Sequence, residues 1–400
     1  MHCTRKVTDD LIYVGGSDRR LSRFENLFPV PHGVSYNSYL LLDEKTVLMD
    51  TADDAISRQF LDNVTTELGG RALDYLVVQH MEPDHCGMVD DILHRYPDCK
   101  LVCSAKALNM LGQFCGMDAK ERALVVAEGD KLSTGRHTLH FIMAPMVHWP
   151  EVMVTYDEVS KVLFSADAFG TFGALPGNIF DDELCFDSVW MNDTRRYYAN
   201  IVGKYGAQVQ ALLKKIAALD VEMVCSLHGP VWRGNLKMLI EKYHIWSTYE
   251  PEEKAVMIAY ASMYGNTENA VNVLASLLGE RGVRGIAMYD VSDVDVSVLV
   301  SESFRCSHMV LAAPTYNGGL YPRMEFFLRD IKALGLQKRT VALLENGTWA
   351  PVAAKHMRTA LEGMKGMTVL DSSVAVKSVL VNTQLSSLEA LADELALQLR

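Results

Sequence analysis

The sequence lacks the close cysteine spacing that thiolate metal sites and disulfide frameworks need. It contains 8 cysteines, scattered from Cys3 to Cys306, and none of them forms a CxxC pair. Paired cysteines are typical of zinc-binding modules and of small secreted domains held together by disulfides. Both classes of protein are therefore excluded. The isolated thiols and the 20 methionines favour a reducing environment.

Long apolar runs and runs of one charge are also absent. No apolar run reaches the ~20 residues of a membrane-spanning helix, and the opening segment MHCTRKVTDD is not followed by the apolar core of a signal peptide. The net charge of −12 is spread along the chain, which argues against nucleic acid and anionic membranes as partners. We therefore expect a cytoplasmic protein that binds small ligands or basic proteins.

The length of 400 residues and the hydrophobic content of 49% predict two well-packed domains. In residues 1–250, strands and helices alternate in an irregular order. Pro251 and a charged triplet then precede a new apolar strand, and we place the domain boundary there. In residues 251–400, five strands alternate regularly with helices, which predicts a parallel sheet covered on both faces.

Two helices of the first domain follow from the spacing of apolar residues. Between Ile56 and Leu68 these residues recur on one helical face, and Gly69 and Gly70 supply a stop signal. A second helix is predicted around the run YYANIVGKYGAQVQALLKKIAAL.

The stretch VVQHMEPDHCG places two imidazoles and two carboxylates within six positions, directly after an apolar strand. Three later strands also end close to a histidine or an aspartate. A polar loop would explain any one of these residues, but the whole set at strand ends indicates a site for zinc, iron or manganese. The predicted metal ligands and catalytic residues are His80, Glu82, Asp84, His85, His148, Asp167 and His228.

The order of these ligands resembles the metallo-β-lactamase superfamily, whose signature is HxHxDH followed by a His, an Asp and a His. This chain has Glu82 where the hydrolytic members have histidine. The third carboxylate, beside Asp84 and Asp167, favours an ion that changes its oxidation state, which iron does and zinc does not. The loop VPHGVSYNSYL could also bring His32 to the site as an outer hydrogen-bond donor.

A second group of residues lies at strand ends of the second domain. The loop SMYGNTENA resembles the FMN phosphate loop of flavodoxins. It lacks the GxGxxG motif of dinucleotide-binding loops and the GK[ST] motif of Walker loops. An ordinary strand-to-helix turn has a similar composition. The loops APTYNGGLYP and LENGTWAPVAA follow two later strands, where ligands of open α/β sheets bind. Trp349 and Tyr316 are predicted to flank the flavin ring. The predicted cofactor contacts are Ser262, Met263, Tyr264, Gly265, Asn266, Thr267, Pro314, Thr315, Tyr316, Asn317, Gly318, Asn346, Gly347, Thr348 and Trp349.

The two halves together resemble the flavodiiron protein family, also called A-type flavoproteins. The resemblance implies a metallo-β-lactamase-like αβ/βα sandwich followed by a flavodoxin-like, doubly wound five-stranded parallel sheet. It implies FMN and two non-haem Fe ions as cofactors. One iron would be bound by His80, Glu82 and His148. The second would be bound by Asp84, His85 and His228, with Asp167 bridging the pair. In some members of the family the imidazole at the position of His85 turns away from the metal.

The family's activity is reduction of dioxygen to water or of nitric oxide to nitrous oxide. A diferrous pair and a reduced flavin together hold four electrons, which dioxygen needs, whereas a pair of nitric oxide molecules needs two. The sequence leaves the choice of substrate open. The resemblance also implies a head-to-tail homodimer or a tetramer, with rubredoxin or reduced deazaflavin as electron donor. No CxxC pair follows the flavodoxin-like part, so we expect the minimal two-domain architecture.

Two other functions are compatible with parts of the sequence. A zinc metallo-hydrolase with a fused flavodoxin electron-transfer module would use the same ligand order, and Glu82 argues against it. A flavin electron carrier with an inactive first domain would not need the complete ligand set that this chain has.

Overall fold

The computed structural model describes residues 2–116, 118–185 and 190–399, which form two units. The first unit comprises the chain up to Tyr198 together with Ala207–Tyr243. The second comprises Ala199–Gly206 and the chain from His244 onward. The division into 1–250 and 251–400 stays a prediction of the sequence.

The first unit contains two large mixed sheets and two small hairpin-like pairs. Its strands are β1 (Arg5–Lys6), β2 (Leu11–Tyr13), β3 (Gly16–Asp18), β4 (Arg23–Phe24), β5 (Phe28–Pro29), β6 (Val34–Tyr36), β7 (Tyr39–Leu42), β8 (Thr46–Met49), β9 (Tyr75–Val78), β10 (Lys100–Ser104), β11 (Ala123–Val126), β12 (Lys131–Ser133), β13 (Thr138–Met143), β14 (Met153–Asp157), β15 (Val162–Phe164) and β16 (Met223–Cys225). The strand orders are β1-β2-β7-β8-β9-β10-β11 and β12-β13-β14-β15-β16. The pairs β3-β6 and β4-β5 lie outside these sheets.

In the part of the chain that the structure describes, seven α-helices connect these strands or follow them, and the last of them extends into the second unit. They are α1 (Ser57–Leu68), α2 (Pro83–Cys86), α3 (Val89–Arg95), α4 (Ala105–Phe114), α5 (Met191–Tyr197), α6 (Gly206–Ile216) and α7 (Leu236–Ser247). Short 3-10 turns lie at Asp54–Ile56, Lys120–Arg122, Asp181–Glu183 and Gly203–Tyr205, and a π-helical turn lies at Tyr198–Val202. Helix α1 buries Phe60, Val64 and Leu68 and ends at Gly69, whose φ of 56° is left-handed. The predicted helix is therefore confirmed.

The helix predicted around the run YYANIVGKYGAQVQALLKKIAAL is present as α6, but it is shorter than the run. The first part of the run contains the end of α5, the π-helical turn and the 3-10 turn. The hydroxyl of Tyr249 causes the break, because it donates to the carbonyl of Gly203 at 2.9 Å and accepts from the amide of Gly206 at 3.4 Å. A side chain inserted in this way replaces helical hydrogen bonds. A Cβ atom on Gly206 would lie 2.8 Å from the Tyr249 ring, so only glycine fits there.

The second unit is built on parallel strands. Its elements are β17 (Glu253–Tyr260), α8 (Asn266–Glu280), β18 (Ile286–Asp290), α9 (Val296–Arg305), β19 (Cys306–Tyr316), β20 (Gly319–Leu320), α10 (Pro322–Ala333), β21 (Thr340–Asn346), α11 (Ala353–Leu361), β22 (Thr368–Val376) and α12 (Asn382–Leu399). The sheet has the order β18-β17-β19-β21-β22, and β20 pairs antiparallel with β19. The four contacts along that order are parallel.

This order is that of a doubly wound, flavodoxin-like sheet, and the predicted fold class is confirmed. The sheet is covered because its central strands are apolar on both faces, and every residue of Ala255–Ala259 is buried. On one face, α8 and α12 contribute Leu274, Leu278, Leu391 and Leu395 to the core. Among the described residues, no helix combines the length and the apolar character needed to cross a membrane.

The buried side chain of Arg339 joins several backbone segments of the second unit outside its hydrophobic core. The Arg339 side chain is 1% exposed. It donates to the carbonyls of Ser303 at 2.7 Å, of Phe304 at 2.8 Å and of Tyr249 at 2.8 Å. Burial lowers the pKa of Arg339 to about 10, so the guanidinium stays charged at neutral pH. A buried carbonyl without a hydrogen-bond donor is costly, so these three carbonyls depend on the guanidinium of Arg339.

Replacing Arg339 with methionine should destabilise the protein by at least about 3 kcal/mol, because several buried carbonyls lose their donor. Urea unfolding of the full chain, followed by circular dichroism, measures the change. Arg329→Met is the control, since the Arg329 side chain is 69% exposed. Equal unfolding midpoints for the two variants would contradict the role of Arg339.

Candidate functional site

The loop that follows β9 and carries His80, Glu82, Asp84 and His85 is held in place by a buried aspartate, Asp50, which directly follows β8. The Asp50 carboxylate accepts from the Gln79 amide at 2.7 Å and from the Gln79 side chain at 2.8 Å. The Thr51 hydroxyl donates to the carbonyl of His85 at 2.6 Å. Pro83 then opens the short helix α2, where a residue without an amide hydrogen is favoured. These contacts fix the segment from residue 79 to residue 86 against the end of β8.

The remaining ligands come from three loops of the five-stranded sheet. His148 lies between β13 and β14, Asp167 follows β15, and His228 follows β16. The Asn37 side chain donates to the carbonyls of Ser226 at 2.9 Å and Gly229 at 2.8 Å, which holds the backbone on both sides of His228. The site is therefore assembled between the ends of two different sheets.

Four of the predicted residues form a first cluster. Their ligand atoms lie within 4.8 Å of one another. The Nε2 atom of His148 is 3.1 Å from Oε2 of Glu82 and 3.1 Å from Oδ2 of Asp167. The Nε2 atom of His80 is 3.2 Å from the same Glu82 oxygen. Two imidazoles and two carboxylates thus converge on one point.

The other three predicted residues form a second cluster beside the first. The Nε2 atoms of His85 and His228 are 3.0 Å apart, and they lie 3.4 and 3.3 Å from Oδ2 of Asp84. Oδ1 of Asp167 is 3.1 Å from Nε2 of His85. Asp167 therefore presents one oxygen to each cluster, and all seven predicted residues meet at one site.

The protein atoms alone do not satisfy this site. Among the described residues, none makes a well-aligned hydrogen bond to either carboxylate oxygen of Asp84 or to Oδ1 of Asp167, although all three atoms are buried and imidazole nitrogens lie 3.1 to 3.4 Å from two of them. The Nε2 atoms of His85 and His228 are within hydrogen-bonding distance of each other, and two imidazole nitrogens placed in this way can also bind one cation. Metal ions would satisfy both arrangements, because each ion accepts electron pairs from carboxylate and imidazole together. The residues present fit a pair of cations.

The electrostatics of the site also favour cations. Burial disfavours the charged form of His148, but Asp167 and Glu82 outweigh burial and raise the pKa of His148 to about 9. Burial also disfavours the charged form of His80, but the neighbouring carboxylates outweigh burial and raise the pKa of His80 well above its usual value. Burial opposes the charge of Glu82, yet the two imidazoles lower its pKa below the usual range. Glu82 and Asp167, whose pKa values both lie below the usual range, therefore stay ionised at neutral pH and attract positive charge.

Two supporting residues escaped the sequence analysis. The Glu151 carboxylate accepts from Nδ1 of His80 and from the Met81 amide, both at 2.8 Å. The carbonyl of Ser35 accepts from Nδ1 of His228 at 2.7 Å. His32 was the predicted outer donor of that loop, but its side chain is 67% exposed and pairs with Asp193. The loop reaches the site through Ser35, so the expectation for His32 is wrong.

Aromatic rings enclose the two clusters. The Phe24 and Tyr197 rings lie 5.2 and 5.5 Å from the His228 ring. The Trp149 ring lies 5.3 Å from the His80 ring. The Tyr197 hydroxyl is buried, and no described residue forms a hydrogen bond with it. The surroundings of the ligands are thus largely apolar, with one hydroxyl available to a small molecule.

Glu25 is a further carboxyl group at the edge of the site. It lies between β4 and β5 with a left-handed φ of 50°, and its carboxyl group is close enough to Glu82 for the two charges to interact. Desolvation of its carboxyl group, and then the charge of Glu82, raise the pKa of Glu25 to about 8, although the residue as a whole is exposed. Nothing in its local sequence distinguishes Glu25 from an ordinary turn residue.

The second unit has a cavity of about 420 Å³ at the carboxyl ends of its strands. Of the predicted contacts, Gly265 and Tyr316 are not among its lining residues, and Tyr316 packs instead against the Tyr321 ring at 5.9 Å. Ala350 and Ser378 line the cavity and were not predicted. The predicted residues that do line it are Ser262, Met263, Tyr264, Asn266, Thr267, Pro314, Thr315, Asn317, Gly318, Asn346, Gly347, Thr348 and Trp349.

The lining of this cavity suits a planar ring with an attached phosphate. Its residues carry no formal charge, and helix α8 begins at the cavity after Gly265, whose φ is 83°. The first amides of a helix and an open glycine turn bind phosphate without a basic side chain. Trp349 is 81% exposed and Tyr264 is 90% exposed, so two large aromatic faces are available to a ligand.

Comparisons with known proteins agree with this geometry. The profile of the ODP family beta lactamase matches residues 34–229. The anaerobic nitric oxide reductase flavorubredoxin of Klebsiella pneumoniae is 30% identical over 361 residues, which cover 89% of this chain and 74% of that protein. The chain belongs to the flavodiiron protein family. Its enzyme class is therefore oxidoreductase, as the sequence predicted.

Solved structures of flavodiiron proteins extend the comparison to the whole chain. Rubredoxin oxygen:oxidoreductase from Desulfovibrio gigas is 29% identical, with a TM-score of 0.92 over 99% of this chain and 98% of that one. The flavodiiron protein from Giardia intestinalis shares the fold, with a TM-score of 0.93 over 99% of this chain and 96% of that one at 24% identity. Both units of the chain thus have the architecture of this family.

Glu151→Gln should lower the affinity for metal by about 10–100-fold, since the neutral amide no longer orients His80 as a carboxylate does. Competition between the protein and a chromophoric chelator for ferrous ion, under anaerobic conditions, measures the change. Glu121→Gln is the control, because Glu121 is exposed. Unchanged affinity in Glu151→Gln would show that His80 does not need this support.

Proposed function

We propose that the protein is a flavodiiron oxidoreductase that reduces dioxygen, nitric oxide or both at a pair of iron ions supplied with electrons by FMN. The observation that carries this proposal is the position of Asp167, whose two carboxylate oxygens face two separate ligand clusters. One cluster contains Glu82 in place of the histidine of zinc hydrolases. A bridged pair of ions with three carboxylates is suited to redox chemistry.

The relatives supply the substrate classes. The Klebsiella pneumoniae protein is a nitric oxide reductase, and the Desulfovibrio gigas protein is an oxygen oxidoreductase that uses rubredoxin. Both resemble this chain at about the same level of identity, 30% and 29%. We therefore propose both gases as substrates and rubredoxin or reduced deazaflavin as electron donor. The eight free cysteines support a reducing, cytoplasmic location.

When bound, the iron pair and FMN would supply the electrons for a diatomic substrate. His80, Glu82 and His148 would hold one ion, Asp84, His85 and His228 the other, and Asp167 would join them. Phe24 and Trp149 exclude water around the ligands. A small apolar gas enters such surroundings more readily than a hydrated anion does.

The cavity of the second unit supports the FMN proposal. The turn at Gly265 and the amino end of α8 would hold the phosphate, and Trp349 would cover one face of the ring. The Thr315 hydroxyl accepts from the amides of Val352 and Ala353 at 2.9 and 3.3 Å, which fixes the loop that carries Trp349. The protein thus positions the ring by backbone contacts and one exposed indole.

The central prediction concerns metal content and gas consumption. The wild-type protein, purified with iron, should contain a pair of iron ions per chain and should consume dioxygen or nitric oxide after anaerobic reduction. Glu82→Gln should reduce that consumption by at least about tenfold, because the site loses one anionic ligand. Elemental analysis and rapid mixing with each gas, with the flavin absorbance recorded, provide the measurement.

Glu121→Gln again serves as the control, since it removes a distant exposed carboxylate. Zinc in place of iron, together with hydrolytic turnover, would support the rival metallo-hydrolase and refute the proposal. Consumption that is equal in wild type and Glu82→Gln would show that Glu82 is not a ligand.

Trp349→Ala should weaken FMN binding by about tenfold, because the ring loses its aromatic contact and the area that the indole covers. Quenching of FMN fluorescence on titration with the flavin-free protein measures the dissociation constant. Leu397→Ala is the matched control, as Leu397 is 76% exposed and does not line the cavity. A loss of affinity in both variants would indicate a general effect on the fold.

We also propose that electron transfer takes place between two chains of a head-to-tail homodimer, or of a tetramer built from such dimers. Specific activity should then fall when the enzyme is diluted below the dissociation constant of the dimer. Analytical ultracentrifugation and gas consumption on the same dilution series test this. A monomer with full specific activity would exclude transfer between chains.

A further inference from the structure

A small pocket behind the first ligand loop contains two thiols that the proposed function does not use. Its volume is about 280 Å³, and it lies where α2 meets the end of α4. Cys86 is the last residue of α2 and is buried, whereas Cys115 directly follows α4 and is partly exposed. The lining residues are Pro83, Cys86, Gly87, Asp90, Asp91, Phe114 and Cys115.

Cys86 and Cys115 both line this small pocket, and the Cys86 thiol donates to the carbonyl of Met81 at 3.2 Å. The two cysteines differ in access, because Cys86 is buried and Cys115 is partly exposed. Cys115 is therefore the thiol that a small oxidant in solution meets first, with Cys86 on the wall of the same pocket.

We propose that Cys86 and Cys115 form a reversible disulfide, which makes this pocket a redox modification site for small oxidised disulfides. The Cys115 thiolate attacks one sulfur of the small disulfide, whose S–S bond breaks, and one small thiolate leaves. The Cys86 sulfur then attacks the Cys115 sulfur, and the second small thiol leaves with a proton. The two protein thiols lose two electrons and two protons in total, and the small disulfide gains them as two thiols.

The position of the pair gives the modification a structural consequence. Cys86 directly follows His85, whose carbonyl is held by the amide of Thr51 at 2.9 Å. A disulfide would tie this segment covalently to the end of α4. Formation of the disulfide does not depend on the proposed function, because neither thiol is a proposed metal ligand.

The test uses the full-length protein, first reduced and then incubated with excess oxidised glutathione. The reaction is quenched in acid, the protein is unfolded and alkylated, and its intact mass and proteolytic peptides are measured. The wild type should lose two alkylatable cysteines, yield a peptide that links Cys86 to Cys115, and recover both thiols with dithiothreitol. Cys3→Ser, which removes an exposed thiol outside the pocket, should give the same link.

Cys115→Ser should form no such link, and circular dichroism would establish that this partly exposed substitution leaves the fold intact. A glutathione adduct that remains on Cys115 of the wild type while Cys86 is still alkylated would overturn the proposal. Failure of wild-type Cys86 and Cys115 to react at all would overturn it as well. Each result is independent of whether the protein binds iron.

Discussion

The structure of the first unit depends on the need to compensate charge at one buried point. Seven ionisable side chains, three of them carboxylates, meet in two adjoining clusters. In surroundings of low dielectric constant such a group is costly unless opposite charge and hydrogen bonds are supplied. Glu151 and the carbonyl of Ser35 supply hydrogen bonds to the imidazoles of His80 and His228. They add no positive charge, so the proposed cations would compensate the three carboxylates.

The cavity of the second unit is built differently from the buried clusters of the first unit. Its cavity is lined by uncharged residues, and the features that point to a ligand are backbone amides, a left-handed glycine and exposed aromatic faces. Such a site costs little stability when it is empty, since its polar groups remain accessible to water. The buried metal-ligand set has no such access. The two units thus represent two ways of building a cofactor site at the ends of β-strands.

Much of this architecture could be predicted from the sequence, because the signals are local. Apolar runs that end in histidine or aspartate located the ligands, and the regular alternation after residue 251 indicated the parallel sheet. Contacts between distant residues could not be predicted. Glu151 and Ser35 act on His80 and His228 from far along the chain, and their own neighbours in sequence do not mark them.

The broken helix near residue 203 illustrates the same limit. Its amphipathic pattern is continuous, and the hydroxyl that interrupts it belongs to Tyr249, which lies 46 residues after Gly203 and just beyond the end of α7. Likewise, the loop with His32 does approach the site, but its backbone carbonyl at Ser35 makes the contact. Backbone carbonyls are identical in every residue, so no sequence pattern identifies them.

The distribution of the ligands along the chain also bears on how the protein matures. The first candidate ligand, His80, follows β9 of one sheet, and the last, His228, follows β16 of the other. Strand β16 is the final strand of the first unit to leave the ribosome. A nascent chain therefore cannot present the complete set until almost the whole unit has been synthesised. Capture of the proposed iron pair would therefore follow assembly of the sheets, and selection among cellular metals would fall to a finished pocket instead of a flexible peptide.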